Sequence, residues 1–336
     1  MTSQHMPIME PFTTEEQPST AHTPKRILLV NIDSKIPNLA LMKLSAYHKM
    51  LGDEVGFNVT DPDKVYASII FKHNKHKIDG LRFYYPRAEI DIGGSGYDLH
   101  KCLDPEIESM QPDYSIYPEC DYYLGFTSRG CIRHCSFCIV PTKEGRFNVV
   151  RHISEICHGE NFNKCVLMDN NILADKKHFF ETADWLIDHK ISIDFNQGLD
   201  ARLFDQDVVN KLAELKAFRT WRIAFDSLDY EEDVLRAAHM MEGVGISLKH
   251  DVMCYVYCDS DDDVDDAVNR CRILKDVGVT AYSMLNIDVP RTPRMQKLKD
   301  WTRPWTFWSC DYSECDRHVR HEKSKCKVKE CAEASQ

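Results

Sequence analysis

The sequence lacks any apolar run of the length that a membrane-spanning helix needs, which is about 20 consecutive residues. Its amino terminus also lacks the charged, apolar and small-residue order of a secretory signal peptide. We therefore expect a cytoplasmic protein without a membrane partner. In that reducing compartment the fourteen cysteines are expected to be free thiols or metal ligands rather than disulfides.

An excess of positive charge is also absent. The chain has 42 Lys and Arg against 53 Asp and Glu, so its formal net charge is −11. Because phosphate neutralisation requires clustered cations, this balance excludes a broad nucleic-acid-binding face, although local basic patches are compatible with it. A small-molecule, nucleoside or peptide substrate is favoured. The hydrophobic content of 43% excludes disorder throughout the chain.

Composition and apolar patterning divide the chain into four regions. Residues 1–24 are rich in polar residues and Pro, which predicts a disordered tail. Residues 25–118 begin with an apolar run at 26–33 and a helical stretch at 38–50, and the sequence predicts a small doubly wound, flavodoxin-like domain with a linker. A Trp- and Cys-rich extension covers residues 295–336.

Residues 119–294 alternate between strand and helix signals about six times, which predicts an α/β fold with a parallel sheet. Six such units form a partial (βα)6 TIM-like barrel, whose active site is expected at the carboxyl ends of the strands. The predicted strands are 122–127, 165–168, 191–195, 221–225, 252–258 and 281–287, and the main predicted helices are 177–189, 205–215, 231–241 and 264–277.

Three cysteines follow the first of these strands in a C-x3-C-x2-C pattern, namely Cys131, Cys135 and Cys138, with Phe137 before the last of them. Thiolates are the usual ligands of iron-sulfur clusters, and three of them leave the fourth iron of a [4Fe-4S] cluster without a protein ligand. That open iron is suited to chelate the amino and carboxylate groups of S-adenosylmethionine (SAM). The alternative is a structural zinc site completed by His134.

This segment and its place after a first βα strand resemble the signature of the radical SAM superfamily. The resemblance implies a [4Fe-4S] cluster, reductive cleavage of SAM to methionine and a 5'-deoxyadenosyl radical, and an electron donor such as flavodoxin or ferredoxin. Residues 25–96 resemble the domain that precedes the barrel in the cobalamin-binding branch. They lack the Asp-x-His-x-x-Gly motif of that branch, so cobalamin is not expected as a second cofactor.

Polar residues after the second and third strands are candidates for SAM binding. Asp169, Asn170 and Asn171 occupy the place of the Gly-Gly-Glu element of the resembled family, although a plain turn explains them equally well. Gln197, Asp200 and Arg202 combine an amide, a carboxylate and a guanidinium that suit ribose hydroxyls and the SAM carboxylate. The alternative for these residues is a surface ion pair.

Six further cysteines have less specific surroundings. In the strand 252–258, Cys254 and Cys258 should share one face, where packing as small apolar side chains is favoured over contact with a substrate radical. The extension carries four more, spaced to hold zinc or a second cluster, against the alternative of a tail without metal: Cys310, Cys315, Cys326 and Cys331.

The reaction after radical formation is left open between lyase, isomerase and oxidoreductase types. Residues 36–47 and 198–200 resemble small bacterial and phage radical SAM proteins, and a lyase that releases queuine from its nucleoside queuosine is one candidate near that group. A cobalamin-dependent radical methyltransferase and a non-catalytic iron-sulfur or zinc-binding protein are also compatible with the sequence.

Overall fold

The structure is a computed structural model that describes residues 22–315. Nearly all of the predicted disordered tail therefore lies outside the described residues, as do Cys326 and Cys331. Up to residue 120 the elements are β1 (Arg26–Asn31), α1 (Leu39–Met50), β2 (Glu54–Gly56), β3 (Lys64–Ser68), α2 (Leu81–Tyr84), β4 (Glu89–Gly93) and α3 (Pro105–Ser109).

The following residues contain β5 (Tyr123–Gly125), β6 (Ser128–Arg129), α4 (Val140–Lys143), β7 (Asn148–Val149), α5 (Ile153–Ile156), β8 (Lys164–Leu167), α6 (Lys176–Asp188), β9 (Ser192–Phe195), α7 (Gln206–Glu214), β10 (Trp221–Ala224), α8 (Glu231–Gly243), α9 (Leu248–Asp251), β11 (Val252–Cys258), α10 (Val264–Asp276), β12 (Thr280–Leu285), α11 (Pro293–Trp301) and α12 (Pro304–Ser309). The chain is thus of mixed α/β class with parallel sheets.

The amino-terminal part forms a four-stranded parallel sheet in the order β2-β1-β3-β4. The central strand β1 buries Ile27, Leu28 and Leu29, as its apolar run predicts. Helix α1 begins after Asn38, whose side chain accepts a hydrogen bond from the Leu41 amide and so caps the helix. Strand β4 is not among the predicted strands, because the glycines that follow its short alternation favour a turn.

Six more parallel strands follow one another in chain order. Strands β5, β8 and β9 form one three-stranded sheet, and β10, β11 and β12 form another. A parallel bridge joins them, in which the Leu199 amide donates to the Arg222 carbonyl at 2.7 Å. The predicted strands and helices of residues 119–294 are confirmed to within one or two residues at most ends, since buried strands and amphipathic helices carry strong periodic patterns.

Helices α6, α7, α8 and α10 cover one face of these strands and form the main hydrophobic core with them. In β11 the buried residues Cys254, Val256 and Cys258 belong to this core, whereas Tyr255 and Tyr257 alternate onto the opposite, partly accessible face. The interpretation of Cys254 and Cys258 as packing residues is thus confirmed.

The first part of the Trp- and Cys-rich extension packs on strand β12. Trp301 and Phe307 are fully buried in the main core, and the Trp301 indole donates to the Cys310 carbonyl at 3.0 Å. Cys310 and Cys315 are buried beside them. Among residues 22–315, no helix combines the length and the apolarity that crossing a membrane requires.

Candidate functional site

The three cysteines lie on a loop that leaves the sheet after β5 and returns at α5. A short antiparallel ribbon, in which β6 pairs with β7, closes the base of this loop. Gly130 has a φ of +73°, and a Cβ at this position would lie 2.2 Å from the Arg146 carbonyl oxygen. Only glycine fits there without displacing backbone, so the residue before Cys131 is fixed by geometry.

Glu144 ties the loop together from inside. Its carboxylate accepts hydrogen bonds from the Arg129 guanidinium, from the Gly130 amide and from the Asn170 side chain. Asn170, a candidate for SAM binding, is thus engaged with the loop itself. The loop and the strand end after β8 form one connected unit.

Cys131, Cys135 and Cys138, called the loop cysteines below, are partly buried free thiols. The sulfur of Cys131 accepts from the Arg133 amide at 3.4 Å and from the Asn171 side chain at 3.7 Å. Burial raises the pKa of Cys135 and of Cys138, and the three side chains interact electrostatically with one another. N–H groups directed at a cysteine sulfur are one of the means by which proteins tune bound iron-sulfur clusters.

Side chains from distant strand ends converge on this loop. The Arg133 guanidinium donates to the Asp200 carboxylate, which follows β9, at 2.9 Å. The ring of Phe137 stacks on Tyr257 near the end of β11, with ring centroids 4.2 Å apart and an interplanar angle of 20°. Asp226 follows β10, accepts from the Tyr257 amide at 3.0 Å, and has its pKa raised by burial. The loop therefore rests on the carboxyl edge of the strands.

Asp200 is the centre of a half-buried charge network. Arg202 binds it through two nitrogens at 2.7 and 3.1 Å, and Arg133 and the Asn171 amide bind the same carboxylate. Burial opposes ionisation of Asp200, but the hydrogen bonds from Arg202 and Arg133 outweigh it and lower the pKa of the carboxyl. Arg202 also lies over the Tyr230 ring at 4.6 Å. Two of the predicted site residues therefore meet as an ion pair that is linked to the loop.

Asp169, the next candidate for SAM binding, is buried beneath the start of the loop. It is only 4% exposed, and its carboxylate accepts from the amides and hydroxyls of both Thr127 and Ser128 at 2.5–2.8 Å. Because the Thr127 hydroxyl donates to Asp169, the ring nitrogen of His178 at 2.8 Å must donate to Thr127. Four donors from Thr127 and Ser128 thus engage Asp169, which thereby holds the entry to the cysteine loop.

Two side-chain amides near the loop carry polar atoms that have no partner in the described part of the chain. The Gln197 side chain is exposed, and no residue of the described range is hydrogen-bonded to it. The side-chain oxygen (Oδ1) of Asn171 is buried and has no partner within residues 22–315. An orphaned buried acceptor beside a cysteine sulfur is a place where a bound group is expected to supply the missing donor. Sequence patterns indicated Asn171 as part of the element after the second strand, but not Arg133, because its partner Asp200 is remote in the chain.

Within residues 22–315, no group of three or more His, Cys, Asp and Glu side chains is placed to hold a metal ion. A structural zinc site would need its four ligands gathered around one point. A [4Fe-4S] cluster likewise needs its three thiolates turned toward one centre, although each of them binds a different iron. The donor set fits the cluster in its chemistry, with three thiols on one loop and two N–H groups directed at the sulfur of Cys131.

An open cleft of about 710 Å³ lies at the opposite end of the strands, lined by residues such as Tyr123, Cys157, Trp185 and His189. Its lining residues Tyr123, Asn163 and Ile191 begin or precede β5, β8 and β9, whereas the loop cysteines follow the carboxyl end of β5. The carboxyl edge rather than this cleft carries the convergent polar groups.

Comparison of the chain with protein-family models and with curated proteins gives no match.

Proposed function

We propose that this protein is a radical SAM enzyme whose [4Fe-4S] cluster is held by Cys131, Cys135 and Cys138. The observation that supports the proposal most is the placement of three free thiols on one loop, against which side chains from the ends of three parallel strands converge. Active sites of βα folds are built at that edge, where loops from several strands meet.

When bound, the cluster would pass one electron from an external donor such as flavodoxin or ferredoxin to the SAM sulfonium, so that the C5'–S bond breaks into methionine and a 5'-deoxyadenosyl radical, which takes a hydrogen atom from the substrate. The substrate is a small molecule, a nucleoside or a peptide, and a lyase acting on a modified nucleoside is one case of this proposal. The six strands in chain order support a partial (βα)6 barrel, and the parallel sheet before them supports a flavodoxin-like domain.

The chain's own residues would position the reactants. Glu144, through Arg129 and the Gly130 amide, fixes the path of the loop. The Asp200 and Arg202 pair lies within reach of the loop through Arg133, and an exposed Gln197 offers an amide beside it. A carboxylate and an amide suit ribose hydroxyls, while a guanidinium suits the SAM carboxylate. The stacked Phe137 and Tyr257 rings would shield this edge from water.

The test is product analysis after anaerobic reconstitution with iron and sulfide. With SAM and a strong reductant, the protein should release 5'-deoxyadenosine, and the Cys131→Ala variant should release none. Cys102→Ala, which removes an exposed cysteine outside the loop, is the matched control and should retain full release. A protein that takes up iron and sulfide but releases no 5'-deoxyadenosine under any reductant would be a non-catalytic iron-sulfur protein instead.

A further inference from the structure

A second feature lies outside the cysteine loop, in the segment 70–87 together with Tyr97, which we call the basic aromatic surface. Residues 71–87 contain five Lys or Arg and a single Asp, in a chain whose net charge is −11. They also contain His73, His76 and four aromatic rings. The charge of this segment is opposite to that of the protein as a whole.

Only part of the segment serves the hydrophobic core, where Ile78 and Leu81 are buried with Ala67 and Tyr85 packs against them. Its 3₁₀ helix, Lys72–Ile78, buries only Ile78. In the short helix α2 that follows, the rings of Phe83 and Tyr84 are 83% and 72% exposed. Large aromatic rings that remain this accessible next to cations are typical of an interaction surface.

Four of the five cations in this segment are not used for internal ion pairs, Lys72 being the exception. No carboxylate of the described residues lies within ion-pair distance of Lys75, Lys77, Arg82 or Arg87, although carboxylates outnumber cations in the chain. Lys75 instead lies 5.2 Å from the centroid of the Tyr97 ring. Four successive cations are therefore available to an external anion.

The basic aromatic surface borders the carboxyl edge that carries the cysteine loop. Lys72 Nζ lies 4.0 Å from a carboxylate oxygen of Asp288, which follows β12 at that edge. At the base of the segment, the Asp33 carboxylate accepts from the amides of Ile70 and Phe71, which fixes its start against the amino-terminal sheet. At this contact the basic aromatic surface meets the edge of the strands that carries the candidate active site.

We propose that the basic aromatic surface binds RNA through unpaired nucleotides. Unpaired bases stack on exposed rings, while the phosphates between them are neutralised by Lys and Arg. Duplexes hide the base faces that the rings of Phe83 and Tyr84 would contact. An anionic membrane is disfavoured, because these apolar groups lie on a four-residue helix rather than on a long amphipathic one. If the proposed function holds, a nucleotide of the bound RNA would be the substrate of the enzyme. The RNA binding itself does not depend on the proposed function.

The test measures binding of a fluorescent, mixed-sequence single-stranded RNA to the full chain by anisotropy, over a series of salt concentrations. The triple variant Lys75→Glu, Lys77→Glu, Arg82→Glu should bind at least tenfold more weakly, and its log–log salt slope should fall by about 2, at roughly 0.7 per lost phosphate contact. The matched control reverses three exposed lysines elsewhere, Lys177, Lys190 and Lys216, to Glu. It should bind nearly as tightly as the parent, and an equal loss there would overturn the proposal.

The rings are tested separately with Phe83→Ala and Tyr84→Ala, which should each weaken RNA binding about tenfold without changing the salt slope. RNA duplex of the same length, vesicles containing anionic lipid, and an acidic flavodoxin complete the comparison. Equal binding of the duplex, or tighter binding of vesicles or flavodoxin than of single-stranded RNA, would contradict the proposal. Because the assay needs neither iron nor SAM, its failure is distinct from a failure to release 5'-deoxyadenosine.

Discussion

Two sets of cysteines in this chain have contrasting surroundings. Cys254, Cys258 and Cys271, the core cysteines, are fully buried where β11 meets α10, among apolar side chains. Burial raises the pKa of Cys258 to about 11 and that of Cys271 to about 12. The loop cysteines are partly accessible and have amide N–H groups, carboxylates and guanidinium groups nearby. A thiol in the first setting packs as a small hydrophobic group, whereas one in the second can become a ligand.

The largest expected effect is on bound iron. Replacing any one loop cysteine by Ala should remove nearly all of the iron and sulfide taken up in anaerobic reconstitution, because three thiolates are the minimum that hold the cluster. Cys254→Ala should keep the full iron content, measured per chain by colorimetric assay. Equal iron content in the loop-cysteine variant and in Cys254→Ala would show that the loop cysteines are no more important for iron binding than the core cysteines.

Gly130→Ala should have the next largest effect. The added Cβ would meet the Arg146 carbonyl at 2.2 Å in a left-handed conformation, so we expect a loss of about 3 kcal/mol in stability and poor iron uptake. Gly145 has a similar φ of +74°, but a Cβ there would have no heavy atom within 4 Å, which makes Gly145→Ala the matched control, with an expected cost of about 1 kcal/mol. Thermal unfolding checks both, and equal melting temperatures would show that the clash is relieved.

Asp200→Asn tests the charges that hold the loop against the sheet. Its folded pKa is lowered, so the stabilisation is present above the unfolded pKa and is lost as pH falls through the folded value. We expect the variant to lose about 1–2 kcal/mol at pH 7 and to show a flatter decline in stability at acidic pH. Asp184→Asn, at an exposed ion pair, should change neither. Denaturant unfolding between pH 3 and 7 measures the free energy of unfolding of each variant. If that free energy fell equally steeply with decreasing pH in the parent and in Asp200→Asn, the prediction would be contradicted.

The smallest effect is expected in the core set. Cys254→Ala should cost about 1 kcal/mol of stability, since it removes a single buried sulfur from apolar packing. In the native protein without iron, iodoacetamide should modify the loop cysteines long before the core cysteines, which should react only after unfolding. Mass spectrometry of timed samples resolves the two sets, and rapid labelling of Cys254 would show that the core is open.

Sequence periodicity predicted most of the fold because local patterns encode it. The alternation in β11 assigned Cys254 and Cys258 to one face, and the structure confirms that this face is buried. Strand β4 was not predicted, because a five-residue alternation of apolar and polar residues next to glycines is a weak strand signal. The position of the loop on the sheet also followed from the sequence, since the C-x3-C-x2-C pattern comes directly after a predicted strand.

The contacts of the candidate site could be predicted only in part. Asp200 and Arg202 form an ion pair, as the alternative for these residues predicted, but the pair is half-buried and linked to the loop through Arg133; their role in SAM binding stays a prediction. Arg133 binds Asp200 across 67 positions, and Asn171 reaches Cys131 across 40, through the register of the parallel strands. The contacts of Asp169 could not be predicted, because the four groups that donate to its carboxylate belong to Thr127 and Ser128, which are remote in sequence.

The central claim is that the loop cysteines hold a cluster with one iron open to SAM. The most direct test is the electron paramagnetic resonance spectrum of the reconstituted, reduced protein with and without SAM. We predict a [4Fe-4S]⁺ signal whose g values change when SAM is added, with no such signal in the variant that lacks all three loop cysteines. A cluster signal that SAM leaves unchanged, or one that persists in that variant, would contradict the account.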